Sequence, residues 1–312
     1  MTRPDKYFPP SALELSVAVC THNPRPAFLA RTLAALRAQT LTPDRWELLL
    51  IDNASAAPLA PDWPLGWHPA ARHLAEPELG IAAARMRAMR EARTGLLLFV
   101  DDDNLLAPDY AERALARALR ESGLGCFGGQ LVPEFETPPE EWTRPWWNYL
   151  AIRPLTADRR ATGPRHYDAM PPTAGMIVRR AVWQHYLKLC ECDPRHLRLG
   201  VWGTRRVGGE DLDLALCAFD LGLGTGCFAD LTLTHLMPAA RLTEDYLVQL
   251  AEGIAFSTVM LEGLRPPGGA RAGLFAELRE RLRAWRLPGR AGRFHRAQLR
   301  GRRSGYAALA QT

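Results

Sequence analysis

The first 130 residues alternate between two apolar patterns. "LSVAVCT" (15–21), "WELLLIDN" (46–53) and "LLLFV" (96–100) are short, nearly continuous apolar runs, the pattern of strands buried on both faces. "ARHLAEP" (71–77) reads as a further, weaker strand. Between them, "AFLARTLAALRAQ" (27–39) places Leu29, Leu33 and Leu36 at i, i+4 and i+7, which predicts a helix with Pro26 near its start. Gly80 opens an Ala-rich helical stretch that Gly95 ends, and Pro108 starts another running to about Glu121. This rhythm predicts an α/β fold, a mostly parallel sheet flanked by helices.

The rhythm then breaks. Residues 132–154, "VPEFETPPEEWTRPWWNYLAIRP", are rich in Pro and Trp without clear periodicity, and read as a long structured loop over one face of the sheet. Trp142, Trp146 and Trp147 in it suit either core or interface packing or stacking against a ligand. "TAGMIVRRAVW" (173–183) resumes strand and helix, "GGEDLDLALCAFDLG" (208–222) is a loop entering a helix, and "GCFADLTLTHL" (226–236) is a strand. Beyond about residue 240 the chain reads as helical.

Composition adds bounds. The 312 residues, 47% hydrophobic, are enough for one large α/β domain with an appendage. No apolar run approaches the ~20 residues of a membrane span, and "MTRPDKYFPP" has no apolar core, so no secretory leader is expected. The six scattered cysteines fit free thiols in a reducing cytoplasm. Charge is uneven: residues 265–303 hold twelve arginines against Glu277 and Glu280. Within "LFAELRERLRAWRL" (274–287), Leu274, Leu278, Leu282 and Trp285 recur at helical spacing among arginines. That pattern suits either peripheral contact with an anionic membrane or packing on the rest of the chain. Nothing accompanies it that reads as a nucleic-acid recognition module, and none is expected.

The candidate chemistry lies at the strand ends. "LLLFVDDDN" (96–104) runs five apolar residues into Asp101, Asp102 and Asp103. Carboxylates so close repel unless something positive sits among them. Two other strands end in polar groups, Thr21-His22-Asn23 and Asp52-Asn53, and open α/β sheets bind ligands at such ends. There is no G-x-G-x-x-G after the first strand and no G-x-x-x-x-G-K-[ST] anywhere, which disfavours dinucleotide and P-loop sites. What remains is a carboxylate-lined crevice suited to Mg²⁺ or Mn²⁺ carrying a substrate diphosphate.

Taken in order, "VAVCTHNPRPAFLARTLAALRAQT…WELLLIDNAS…ELGIAAAR…GLLLFVDDDN…GMIVRR…GGEDLDLALCAFDLG…H" resembles a family 2 glycosyltransferase with a GT-A fold, over roughly residues 15–240. The resemblance implies that residues 1–240 form the catalytic domain, with a nucleotide-sugar half at about 12–130 and an acceptor half at about 131–240. A helical, Arg-rich extension follows at 241–312. It implies nucleotide-sugar contacts from Thr21, His22, Asn23, Asp52, Asn53, Arg85, Asp101 and Asp102. Met86 stands where the family has Asn, and His22 where it often has Tyr. Asp103 and Asp101 match the family's D-x-D, with His235 completing the shell of a Mn²⁺ or Mg²⁺ ion. Glu210-Asp211 match its acidic pair, Asp211 as general base and Glu210, with Trp146 and Trp147, toward the acceptor. The implied reaction is metal-dependent, inverting transfer of a sugar from a nucleotide diphosphate sugar, UDP-linked, to a hydroxyl acceptor that is a saccharide, lipid-linked or a small molecule. The implied location is the cytoplasm, with the inner membrane face as an option. A nucleotidyltransferase of related architecture and a non-catalytic sugar-nucleotide-binding protein are the alternatives. The first would need a Gly-rich loop where "THNPRPAF" stands, and the intact Glu210-Asp211 speaks against the second.

Overall fold

The computed structural model describes residues 13–164, 166–200, 206–265 and 287–310. Four strands, β1 (Leu15–Thr21), β2 (Trp46–Asn53), β3 (Ala71–Glu76) and β4 (Leu96–Asp101), pair in parallel in the order β3-β2-β1-β4. They alternate with helices α1 (Pro26–Arg37), α2 (Ile81–Glu91) and α3 (Tyr110–Arg120). Strand period divides the core in two. Val17, Val19, Leu48, Leu50, Leu98 and Val100 meet Leu29, Leu33 and Leu36 of α1 and Ala111, Ala114 and Leu115 of α3 on one face. Ala18, Cys20, Leu49, Ile51, Leu97 and Phe99 take the other face, against Ala84, Ala88 and Met89 of α2. Helices on both faces are why these strands read as unbroken apolar runs.

Past β4 the sheet becomes mixed. The chain forms β5 (Asn104–Leu106), β6 (Leu124–Phe135), β7 (Arg159–Ala161), β8 (Ile177–Arg179) and β9 (Gly224–Met237). β8 lies antiparallel between β4 and β6, β6 runs parallel to β9, and β5 and β7 pair antiparallel with β9. Sequence pattern placed residues 132–135 in a loop, whereas β6 continues through them. Its first part, "LGCFGGQ", is too glycine-rich to show an apolar period. The glycines are needed: a Cβ on Gly129 would lie 1.7 Å from the Leu231 carbonyl oxygen. The rest of the expected loop contains a 3₁₀ helix at Glu141–Leu150, ending on Ala151 in the left-handed region (φ 55°).

Helices α4 (Arg180–Cys192) and α5 (Glu210–Asp220) complete the second layer through Val182, Trp183, Tyr186, Leu214 and Cys217. α6 (Glu244–Leu264) and a final helix, here α7 (Gly289–Leu309), pack on each other and on the 141–152 segment, joining Leu150, Ile152, Leu247, Val248, Ala251, Phe294 and Ala297. An 18-residue window of the 21-residue α6 reaches a mean hydropathy of 1.3, so the helix is long and apolar enough to cross a membrane, which single-run counting had not shown. Half of that window is buried inside the fold, as a core helix requires. On α7, Arg290 and Arg293 pair with Glu244, Arg293 also with Asp245, and Arg300 with Glu252, all on α6. Much of the basic charge there is thus answered within the protein. The amphipathic stretch expected at 274–287 lies outside the described residues except for Leu287.

Candidate functional site

The parallel strands deliver Thr21, Asn53 and Asp101 side by side, because Thr21 is opposite Asp52 and Cys20 opposite Asp101 in the sheet register. The turn after β4 carries Asp102 and Asp103. His235 arrives from 130 residues away through β5, whose Asn104 is paired with it across the antiparallel ladder, and Leu236 N–H donates to the Asp103 carbonyl at 2.8 Å. A crevice of about 450 Å³ results. Its walls include Thr21, His22, Asn53, Arg85, Asp101, Asp102, Asp103, Glu210 and His235 from the sequence-derived set. Tyr149, Arg241, Tyr246 and Leu250 join them, and three of these lie beyond residue 240.

The charge among the aspartates is answered by two guanidiniums. Buried Arg85 bonds Asp101 Oδ1 at 3.1 Å and also Glu210, tying the β4 end to the start of α5. Burial works against its charge, yet Asp101 and Glu210 outweigh it and raise its pKa. Arg241, on the 3₁₀ turn at Ala239–Leu242, reaches Asp103 Oδ2 at 2.8 Å and His235 Nε2 at 3.1 Å. Burial opposes ionisation of Asp103, but Arg241 and then His235 hold its pKa down to about 2. Asp102, bonded by the Thr21 hydroxyl, is pushed up to about 6 by burial and by the neighbouring Asp103. Adjacent carboxylates of one triplet thus move in opposite directions.

Asp103 Oδ2 and His235 Nε2 stand 3.5 Å apart, a carboxylate oxygen of the kind both Mn²⁺ and Mg²⁺ accept beside an imidazole nitrogen that suits the transition metal Mn²⁺ better than Mg²⁺. His235 Nδ1 is buried without a hydrogen-bond partner, so the ring's one protein-facing interaction is through Nε2. In kind, these donors fit a divalent cation. Among the described residues, the group of three ligand atoms lying within 4.8 Å of one another is elsewhere, at His185, Cys217 and Asp220, where Arg265 already bonds both Asp220 and Cys217.

Other sequence-derived residues take different places. Asp52 accepts the backbone N–H groups of Ser55 and Leu59 at 3.2 and 3.1 Å, organising the loop after β2 rather than lining the crevice. Asn23, at φ 45°, accepts from Ala56 N–H and donates toward His22 Nε2. Asn53 lines the crevice, but its amide is used by the carbonyls of Glu76 and Glu78 and by Gly80 N–H. That last bond fixes Gly80, at φ 147°, as the residue before α2. Trp146 and Trp147, expected toward the acceptor, line neither cavity described here. Trp146 stacks on Phe294 of α7 at 3.8 Å between centroids, and Trp147 packs against Phe135. Apolar rings beside the apolar residues of α7 are better buried than left facing water.

Asp211 opens onto a second cavity of about 680 Å³, whose walls include Tyr149, Ile152, Arg153, Leu155, Tyr167, Leu212 and Ile254. Glu210 borders both cavities. Burial raises the pKa of Asp211, opposed by the Leu212 N–H that donates to its Oδ1 at 2.8 Å, and burial likewise raises Glu210 against the pull of Arg85. Two residues on, fully buried Asp213 fixes the helix: His196 Nδ1 lies 2.6 Å from its Oδ2, and Arg265 Nε donates to its Oδ1 at 2.8 Å. Sequence reasoning missed Arg241, Arg265 and the Asp213 clasp. For Arg241 the only signal was a basic residue in the Pro-led turn after the His235 strand.

Residues 16–185 match the model of the family described as glycosyl transferase family 2. Two validoxylamine A glucosyltransferases, from Streptomyces hygroscopicus subsp. limoneus and subsp. jinggangensis, are each 32% identical over 167 residues, 46% of this chain. That stretch covers 36% and 39% of their respective lengths, so well over half of each has no counterpart in the match. In three dimensions the chain is similar to S. aureus TarS 1-349, with a TM-score of 0.51 at 15% identity over 87% of this chain and 70% of that one. TarS 1-349 in complex with UDP-GlcNAc gives 0.51 at 14%, over 88% and 71%. At such identity the likeness concerns the fold, a sheet flanked by helices of the GT-A type. With more than half of its length matched by the family model, and the strand-end carboxylates gathered in one crevice, this chain belongs to glycosyl transferase family 2.

Proposed function

We propose that the protein is an inverting glycosyltransferase that binds a UDP-linked sugar in the aspartate crevice and passes the sugar to a hydroxyl acceptor in the second cavity. The observation that carries this is the position of the α5 start. Glu210 borders both cavities, Asp211 lines the second, and the three aspartates line only the first, so a reacting centre at their junction would have a carboxylate separate from the aspartate triplet beside it.

In this reading Thr21, His22 and Asn53 wall the nucleoside end of the crevice, and Asp101–Asp103 lie toward the diphosphate. Asp103 and His235 would hold Mn²⁺ or Mg²⁺, which when bound neutralises charge developing on the leaving diphosphate. Asp211 accepts the acceptor hydroxyl's proton as that oxygen attacks the anomeric carbon from the face opposite the diphosphate. General-base help of this kind contributes roughly 10²–10⁴-fold. A raised pKa suits the task, since a stronger base removes a hydroxyl proton more readily. Arg85 bridges Asp101 and Glu210 and so keeps the two halves of the site in register.

The wall of Tyr149, Ile152, Leu155, Tyr167, Leu212 and Ile254 favours an acceptor with an apolar face beside its hydroxyl. The relatives' names support glucose as the first sugar to test and validoxylamine A as the first acceptor. A nucleotide-sugar donor fits a cytoplasmic location, and a lipid-linked acceptor would add contact with the inner membrane face. The test is nucleotide release from a panel including UDP-glucose and UDP-GlcNAc, with Mn²⁺ and with chelator, each with and without acceptor. Metal- and acceptor-stimulated release of UDP is expected. Absence of release from every nucleotide sugar would remove the reading.

A further inference from the structure

Arg241 holds the two atoms best placed to bind a cation. One guanidinium nitrogen is 2.8 Å from Asp103 Oδ2 and the other is 3.1 Å from His235 Nε2, and those two atoms are 3.5 Å apart. A planar fork with two parallel N–H groups matches such a pair, and the same fork matches two oxygens of a phosphate. Asp103 and His235 are almost fully enclosed, with side chains 5% and 6% exposed, while the Arg241 side chain is 33% exposed and borders the open crevice. The two enclosed groups therefore have in Arg241 a solvent-reaching neighbour, and the space it can move into is the crevice itself.

We infer that Arg241 is an exchangeable counter-ion of the aspartate triplet, holding Asp103 and His235 until a nucleoside diphosphate draws its guanidinium away, so that diphosphate and divalent cation bind as one coupled event. This rests on the reading of the crevice as the donor site. Without diphosphate, a divalent ion must displace a charged, doubly bonded guanidinium and leave it unpaired beside an incoming positive charge, and binding is weak. With diphosphate present, Arg241 exchanges a carboxylate and an imidazole for phosphate oxygens. The freed Asp103 and His235 then accept the ion next to the same anion. Arg241 is in this sense a positioning residue, acting on the order in which the site fills.

The test uses the full chain and reads metal binding directly, from the loss of the free Mn²⁺ resonance in electron paramagnetic titrations. For the wild type, UDP is expected to tighten Mn²⁺ binding by at least about tenfold, and Mn²⁺ to tighten UDP by the same factor, since linkage is reciprocal. In Arg241→Gln, Mn²⁺ alone is expected to bind at least about tenfold tighter than in the wild type, and the factor by which UDP tightens it further is expected to be smaller than in the wild type. Arg241→Lys, which keeps the charge but not the fork, is expected to fall between. Far-ultraviolet circular dichroism of each variant reports folding, and the wild-type arm requires no variant. If the wild type binds Mn²⁺ equally well with and without UDP, or if a folded Arg241→Gln binds Mn²⁺ alone no better than the wild type, the inference is overturned. Failure of the donor-site reading looks different: UDP would bind under no condition, while Arg241→Gln would still tighten Mn²⁺ alone.

Discussion

The aspartate turn after β4 and the acidic pair at the start of α5 are built from the same residue types and are treated in opposite ways. At the turn, two guanidiniums and an imidazole face three carboxylates, and Asp103 is held strongly ionised. At α5, burial dominates, and both Glu210 and Asp211 are shifted toward the protonated form. One region is suited to keep negative charge for a cation or diphosphate to meet, the other to take up a proton. Arg85, bonded to both Asp101 and Glu210, links them. Acidic residues in a crevice are therefore not one signal: the cations beside them and the water they have lost decide which task each can perform.

Cutting the link should have the largest effect. Arg85→Met leaves Asp101 and Glu210 without their shared buried partner, and about 3–5 kcal/mol of stability should be lost, the range for breaking a buried pair from one side. Denaturant unfolding measures it; a loss below about 1 kcal/mol would mean that water replaces the guanidinium and the two regions are independent. Next in size, Asp211→Asn keeps the shape of the α5 start and removes its proton acceptor. Transfer should fall at least about 100-fold with UDP affinity near that of the wild type. Because burial raises the Asp211 pKa, wild-type kcat/KM should fall with decreasing pH, with its acid limb above the ordinary carboxylate range. A variant that keeps most of its rate, or loses UDP binding instead, would assign Asp211 another task.

The smallest effects lie within the turn and carry opposite signs. In chelator, with no metal present, Asp103→Asn should cost about 2 kcal/mol at pH 7, because a carboxyl lowered to about 2 stabilises the fold above its unfolded pKa and loses that contribution as pH falls toward 2. Asp102→Asn should instead stabilise by on the order of 2–3 kcal/mol at pH 8. A carboxyl raised to about 6 opposes folding once ionised, and that penalty disappears as pH falls from about 6 to below about 4. Unfolding free energies at pH 4 and pH 8 measure both; shifts of the same sign would show that the triplet behaves as one charge.

The same contrast explains what the sequence made legible. The parallel half could be read strand by strand, because each strand is a local apolar run and its end residue falls at the crevice by sheet register alone. The Glu210-Asp211 pair was readable for a similar reason, sitting at a helix start. Arg241 was not, because its meeting with Asp103 depends on the antiparallel pairing of β5 with β9, a contact between segments 130 residues apart. β6 was partly hidden by glycines that permit close strand approach and erase the apolar period. Trp146 and Trp147 were visible as residues, but only the position of Phe294 on α7 shows what their rings meet. Charge and hydropathy mark which groups need partners; which partner each receives is settled by long-range pairing.

Arg265 has a practical bearing on how this chain can be cut. It follows the last residue of α6, at the threshold of the Arg-rich segment, yet its guanidinium bonds Asp213 and Asp220 inside the helix that carries Glu210 and Asp211. A shortened version ending at residue 264 would discard that guanidinium along with the segment, leave Asp213 with His196 alone, and loosen the seat of the proposed base. Loss of activity in such a fragment would then be misread as a need for the basic residues beyond. The boundary that separates the two questions falls after Arg265, and even there α6 would lose the covering of Phe294 and Ala297 from α7.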